Sequence, residues 1–186
     1  MPLTHAIHNL KEVPLQEPLG ELTAVKPDPH ILIIGPGSMG LTHAGLLARA
    51  GLDVTVLDYR PQRAAQLKAS GISIRGAAGD FEVMVPVMAA ASEVRSADLA
   101  IFFVKAYSTA EALRHAQDAL QEQTILLTLQ NGLGNYELLV EFAGAHRVLV
   151  GTTSSGAYRS GLAEVQVAAI GDIQIGGVEA AADVAD

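Results

Sequence analysis

The sequence has 186 residues, 49% hydrophobic and 17% charged, a composition that suits one folded core and excludes an extended, unpacked chain. A formal net charge of -8 argues against a nucleic-acid partner, which needs a basic face, and against attraction to an anionic membrane. Cysteine is absent, so disulfides, thiolate metal sites and cysteine nucleophiles are excluded together.

Residues 1 to 29 hold five of the eight prolines and no long periodic run. Pro14, Pro18, Pro27 and Pro29 each interrupt a helix or strand. The expectation is a proline-rich leader that packs loosely, with short apolar pieces such as Val13 and Leu15 available to dock on a neighbouring surface. No basic start leads into an apolar core, and no apolar run reaches about 18 residues. Neither a secretory signal nor a spanning helix is expected, and the cytoplasm is the expected compartment.

From His30 strands and helices alternate. "HILIIG" is a short, β-branched apolar run suited to a strand buried on both faces. "SMGLTHAGLLARAG" reads as a helix with Leu46, Leu47 and Ala50 as its apolar stripe and Gly51 as its stop. "DVTVLD" is a second strand, and "RPQRAAQLKASG" a second helix with Pro61 in its first turn and Gly71 past its end. "ISIRG" and "FEVMVPV" are read as two shorter strands forming a hairpin across "GAAGD". "DLAIFFVK" is a buried strand, and "STAEALRHAQDAL" a helix capped by Ser108 or Thr109, with Glu111 in its first turn. "TILLTLQ" and "RVLVGTT" are strands on either side of the helix "NYELLVEFAG". "GAYRSG", "AEVQVAAIG" and "DIQIGG" follow as short strands with glycine turns, and the tail "EAAADVAD" is expected to fray. This alternation predicts an α/β fold of the Rossmann type: a doubly wound, mainly parallel sheet over residues 30–176, with a short strand-rich C-terminal extension and a tail at 177–186.

The loop "GPGSMG" is the candidate site. Gly35 lets the chain turn sharply out of the strand. Gly37 has no side chain, so a pyrophosphate can approach the backbone, and Gly40 lets the helix pack close to the strand. Pro36, Ser38 and Met39 complete a loop whose helix N-terminus offers free N–H groups and the positive end of a dipole to phosphates. The motif follows a strand, opens a helix, and precedes a second strand ending in Asp58, 18 residues after Gly40, which is the context of a dinucleotide site. Asp58 and its neighbours conflict. A carboxylate there takes both ribose hydroxyls of NAD and repels a 2′-phosphate, whereas Arg60 can bind the 2′-phosphate of NADP. Arg63 is read as part of a solvated helix face. His43 and His115 show no metal spacing and receive no role, and no metal site is expected.

Three further stretches in order behind "GPGSMG" carry a resemblance: "VKAYST" (104–109), "LQNGLGN" (129–135) and "GTTSSGAYRSGLAEVQVAAIGDIQIG" (151–176). Together they resemble the N-terminal domain of ketopantoate reductases (2-dehydropantoate 2-reductases), over about residues 30 to 176. The resemblance implies an oxidoreductase that reduces the ketone of a 2-keto acid with NADPH on the way to pantothenate. It also implies an all-helical second domain that carries the catalytic lysine and other substrate-binding residues. By the resemblance Asn131 lies near the nicotinamide and substrate, and Lys105 steadies the cofactor or a substrate carboxylate. Both follow strand ends on the rim of Gly35, where parallel sheets bind ligands. Tyr107 is expected to be half-buried.

The sequence carries Lys11, Lys26, Lys68 and Lys105 and no later lysine, so the family's catalytic lysine has no counterpart and no catalytic residue is assigned. The expectation is a chain that binds NADP, with NAD open because of Asp58, and does not complete the reaction alone. A 2-keto acid is then a substrate only with a second domain or chain. The face around "LQNGLGN" and the last strands is expected to be uncovered, favouring association with a copy or a partner chain. The competing reading is a stand-alone NAD(P) sensor, or a subunit whose partner supplies the substrate domain.

Overall fold

The structure, a computed structural model, describes residues 28–177. The expected leader, apart from Asp28 and Pro29, and the tail beyond Gly177 lie outside the described residues. The elements run β1 (His30–Ile34), α1 (Ser38–Arg49), β2 (Asp53–Leu57), α2 (Pro61–Ser70), β3 (Ile72–Gly76), β4 (Phe81–Val83) and β5 (Val87–Met88). Then come β6 (Leu99–Phe102), α3 (Thr109–Ala116), β7 (Ile125–Thr128), α4 (Asn135–Ala143), β8 (Val148–Thr153), β9 (Gly156–Arg159), β10 (Glu164–Ala169) and β11 (Ile173–Gly177).

The main sheet has the order β11-β8-β7-β6-β1-β2-β5, parallel except for β11, which runs antiparallel to β8. Alternation along each strand explains how it is covered on both faces. Ile31 and Ile33 enter one core with Leu41 and Ala44 of α1 and Ala64 and Leu67 of α2. Leu32 and Ile34 enter the other with Ala112 and Leu113 of α3 and Leu139 and Ala143 of α4. The registers align the last residues of β2, β1, β6 and β7 in one row, Leu57, Ile34, Phe102 and Thr128, and Thr128 pairs with Val150 inside β8, which runs on to Thr153. The chain order reverses direction across β1, which has β2 on one side and β6 on the other.

A second, four-stranded sheet, β4-β3-β10-β9, covers the far side of α1. The hairpin read across "GAAGD" is present between β3 and β4, but "FEVMVPV" is divided: Pro86 separates β4 from β5, which joins the edge of the main sheet beside β2. The strand-rich extension is likewise divided. β9 and β10 return to the β3–β4 hairpin, β10 running parallel to β3, while β11 joins the main sheet. This second sheet gives α1 a partner on both sides, and so moves its buried surface. The buried residues of α1 are Gly40 to Gly45, and Leu46 and Leu47 are only partly covered while Ala50 is exposed, in place of the expected stripe. Gly45 fits because a Cβ there would already stand 3.1 Å from Ile74 of β3. α3 is also shorter than its sequence suggests, continuing after Ala116 as a single 3-10 turn.

His43, buried in α1, sets its Nδ1 2.8 Å from the Met39 carbonyl and its ring against Phe103, with centroids 4.7 Å apart. Burial lowers its pKa, and the Met39 bond offsets this only in part. A folded-state pKa below the unfolded value of about 6.5 gives stability that is whole above that pH and is lost as pH falls through the folded value. Urea unfolding should therefore show His43→Leu losing less stability than the wild type between about pH 7 and pH 5. Parallel losses in the two proteins would contradict this.

Candidate dinucleotide site

At the carboxyl ends of β1, β2 and β6 the rim opens into a cleft lined by Gly35, Pro36, Gly37, Arg60 and Lys105. Each glycine of the loop has a distinct steric reason. Gly35 has φ +98, and a Cβ on it would lie 2.7 Å from Val104 Cγ1. A Cβ on Gly40 would lie 2.1 Å from the Gly35 carbonyl oxygen, so α1 reaches β1 only because residue 40 has no side chain. Gly37 differs: its φ is -77, and a Cβ would meet nothing within 4 Å. The room above Gly37 is open, facing an α1 N-terminus with no side-chain cap and no acid in its first turn. The first N–H groups of a helix lack intrahelical acceptors and carry the positive end of its dipole. Ser38 and Met39 belong to that turn, half-buried.

Beyond the loop, the cleft is built from β2, the segment after β6, and α3. Arg60 lies exposed at the mouth, its Nε donating to the Tyr59 hydroxyl at 3.1 Å, a bond that raises its pKa further. Tyr59 stacks on His115 with centroids 5.4 Å apart, and His115 approaches Glu111 at 3.6 Å. Sequence reasoning missed Tyr59, Ser108, Glu111 and His115. Ser108, Glu111, Ala112 and His115 stand at i, i+3, i+4 and i+7, one face of α3, and that spacing was the available signal. Tyr107, expected half-buried, is 89% exposed at the cleft because its short 3-10 turn (106–108) lies outside both cores. Lys105 is exposed there too.

Arg63 departs from the sequence reading of this strand end, where it pairs with Asp58. Asp58 is fully buried. Its Oδ1 accepts the Arg60 backbone N–H at 3.1 Å and Arg63 Nη2 at 2.8 Å, and its Oδ2 accepts Arg63 Nε. Arg63 thus leaves the solvated face proposed for it: its side chain is 20% exposed and folds back into a two-pronged pair. Arg159 of β9 lies close enough to feel both charges. Burial lowers its pKa, the Arg63 cation adds to the lowering, and Asp58 opposes it.

On the neighbouring rim, Asn131 is exposed and does not line the cleft. Gln130, Thr109 and Asn135 organise this part. Gln130 Nε2 donates to the Val104 carbonyl at 2.8 Å and to Thr109 Oγ1 at 2.9 Å, and Thr109 Oγ1 donates to Asn135 Oδ1 at 2.9 Å. Asn135 Nδ2 then holds the Asn131 and Gly132 carbonyls at 3.4 and 3.3 Å. Thr109, one of two candidate caps for α3, therefore spends its hydroxyl on this network; Ser108 holds the capping position without a side-chain cap bond. Among the described residues no group of His, Asp or Glu could hold a metal ion, and no helix is long and apolar enough to cross a membrane.

The pattern that defines the ketopantoate reductase PanE/ApbA family matches residues 31–180. The chain belongs to the ketopantoate reductase family. It is 37% identical over 154 residues to the 2-dehydropantoate 2-reductase of Halobacterium salinarum, covering 82% of this chain and 50% of that protein. Among solved structures, the 2-dehydropantoate 2-reductase of Geobacter metallireducens GS-15 superposes with a TM-score of 0.74 at 32% identity, over 80% of this chain and 49% of the other. A D-mandelate dehydrogenase solved with NADH and anilino(oxo)acetate superposes with a TM-score of 0.73 at 27% identity, over 82% and 49%. The chain therefore spans about half the length of these relatives.

Two stability measurements check the site's architecture. Gly40→Ala should lose about 1–3 kcal/mol or fail to fold, because its methyl meets backbone, while Gly37→Ala should stay within about 0.5 kcal/mol of wild type. Equal losses would contradict the assignment of close packing to Gly40 and not to Gly37. Thr109→Val should lose about 1–3 kcal/mol by stranding the Asn135 and Gln130 amides; an unchanged urea midpoint would show that the network does not hold the rim.

Proposed function

We propose that residues 30–176 form the nicotinamide-dinucleotide half of an oxidoreductase that reduces a 2-keto acid of the 2-dehydropantoate class, with NADPH as the cofactor. The observation that carries the reading is the open space over Gly37 at an uncapped helix N-terminus, inside a cleft that also presents Arg60 and Lys105. The donor set fits a dinucleotide. Ser38, Met39 and Gly40 supply backbone N–H groups for the pyrophosphate, while the Gly37 N–H donates to the Gly35 carbonyl and its bare Cα leaves the room. Arg60 is the cation for a 2′-phosphate. Lys105, at the end of β6, steadies the dinucleotide or a substrate carboxylate.

The bound nicotinamide would supply a hydride to the ketone carbon. This chain's part is to bind the dinucleotide, orient it on the rim and cover one side of the reacting centre. Asn131, on a loop whose carbonyl Asn135 holds, is the proposed residue facing nicotinamide and substrate. Its exposure fits a surface awaiting a further covering layer. Hydride transfer to a ketone also needs a proton donor or positive group at the developing alkoxide. No residue of this chain is assigned that role; we place it in the half of the relatives' length that this chain does not span. Reduction of the keto acid therefore requires that second domain, or a partner chain that carries it.

Titration of the purified 186-residue chain with NADPH and with NADH, followed by nicotinamide fluorescence, should give saturable binding that favours NADPH. Gly37→Val should abolish it while melting at the wild-type temperature, because the branched side chain fills the phosphate space and not the strand–helix contact. Normal binding by Gly37→Val, or none by the wild type, would overturn the reading.

A further inference from the structure

Resting on the dinucleotide reading above, the question is what the carboxylate at the end of β2 does to cofactor choice. A carboxylate free to turn outward takes the ribose hydroxyls and repels a 2′-phosphate. Asp58 is not free. It has no exposed surface, and both of its oxygens accept hydrogen bonds, from Arg63 Nη2 and Nε and from the Arg60 backbone N–H. The bond to Arg60 N–H closes a local turn that starts α2, so the carboxylate also holds the first residues of that helix. Arg63 lies one turn into α2 and 20% exposed, with its fork committed to Asp58.

We infer that Arg63 is a specificity-determining positioning residue: it neutralises and locks Asp58 inward, so that a strand end with the acid of an NAD site accepts a 2′-phosphate through Arg60. Three charges face the carboxylate. Arg63 is paired with it. Arg60 contributes its backbone to Asp58 and leaves its guanidinium at the cleft mouth. Arg159 contributes field from β9, but its guanidinium donates to the Gly161 and Leu162 carbonyls, so it does not substitute for Arg63 as a hydrogen-bonding clamp. The arrangement separates two functions that the sequence leaves in conflict. The acid closes the turn, and an arginine three residues after Arg60 removes its electrostatic objection to a phosphate.

The test is the ratio of NADH to NADPH dissociation constants for the wild-type chain, Asp58→Asn, Arg63→Gln and the double variant, all read by nicotinamide fluorescence. Asp58→Asn removes the carboxylate but leaves the Arg63 cation uncompensated beside the site, so the ratio should stay at the wild-type value or rise, and not fall. Arg63→Gln exposes the phosphate site to an uncompensated carboxylate, and the ratio should fall about tenfold or more. Adding Asp58→Asn to Arg63→Gln removes that charge and should restore the ratio. A ratio that stays low in the double variant would mean that Arg63 binds the phosphate directly, and would overturn the inference. So would an Asp58→Asn ratio lowered about tenfold, which would mean that the paired carboxylate itself supports phosphate binding, or equal losses for both cofactors in Arg63→Gln, which mark a purely structural pair. If Arg63→Gln does not fold, the double variant, which carries neither charge, decides alone: a ratio within about threefold of wild type supports the inference and a lowered one overturns it. Wild-type chain that binds neither cofactor would instead overturn the dinucleotide reading itself.

Discussion

Everything at the rim depends on one contact without side chains. The Gly35 carbonyl stands where a Cβ on Gly40 would be, and Gly35 itself sits against the backbone of Val104. Three elements, the end of β1, the start of α1 and the segment leaving β6, meet at a point that admits no methyl group. The closeness has two effects. It aims the first turn of α1, with its unpaired N–H groups and positive dipole end, across the strand ends. It also frees the space over Gly37, the one glycine of the three whose conformation any residue could adopt and whose missing side chain is explained by neither packing nor backbone angle.

Around that contact the rest of the site is held by polar groups that satisfy one another. On one side, Asp58 is closed by Arg63 and by the backbone of Arg60, which fixes the start of α2 and leaves the Arg60 guanidinium facing the cleft. On the other, Gln130, Thr109 and Asn135 tie the end of β6 to the starts of α3 and α4. Buried networks of this kind are costly when partly satisfied and rigid when complete. Here they place exposed groups, Arg60, Lys105 and Asn131, on fixed supports. A chain of net charge -8 thus presents cations at the strand ends that would face a pyrophosphate, which shows why net charge excludes extended anionic partners but says little about a cleft of this size.

The main sheet was legible because its strands are short β-branched runs buried on both faces and its turns carry glycines of a single steric meaning. The roles of the three loop glycines are legible in their spacing, and Gly35 and Gly40 hold theirs by backbone angle and contact distance. What was not legible came from long-range pairing. The second sheet forms when β9 and β10 return to the β3–β4 hairpin, a choice no local pattern states, and it shifts the burial of α1 toward its first two turns. The Asp58–Arg63 pair was missed because both residue types have ready solvent-facing interpretations. Only the fold of α2 over the end of β2 turns the arginine inward. Tyr59 was missed because its partner ring belongs to another element and the two meet only as stacked rings.

The most direct test of the central claim is a residue-resolved one. In an amide NMR spectrum of the isotopically labelled 186-residue chain, titration with NADPH should move the signals of Gly37, Ser38, Met39 and Gly40 first and furthest, with those of Tyr59 and Arg60 following along the same binding curve. Saturable shifts confined to another face, such as the β9–β10 hairpin, or no shift in the Gly37–Gly40 amides at saturating cofactor, would contradict the account.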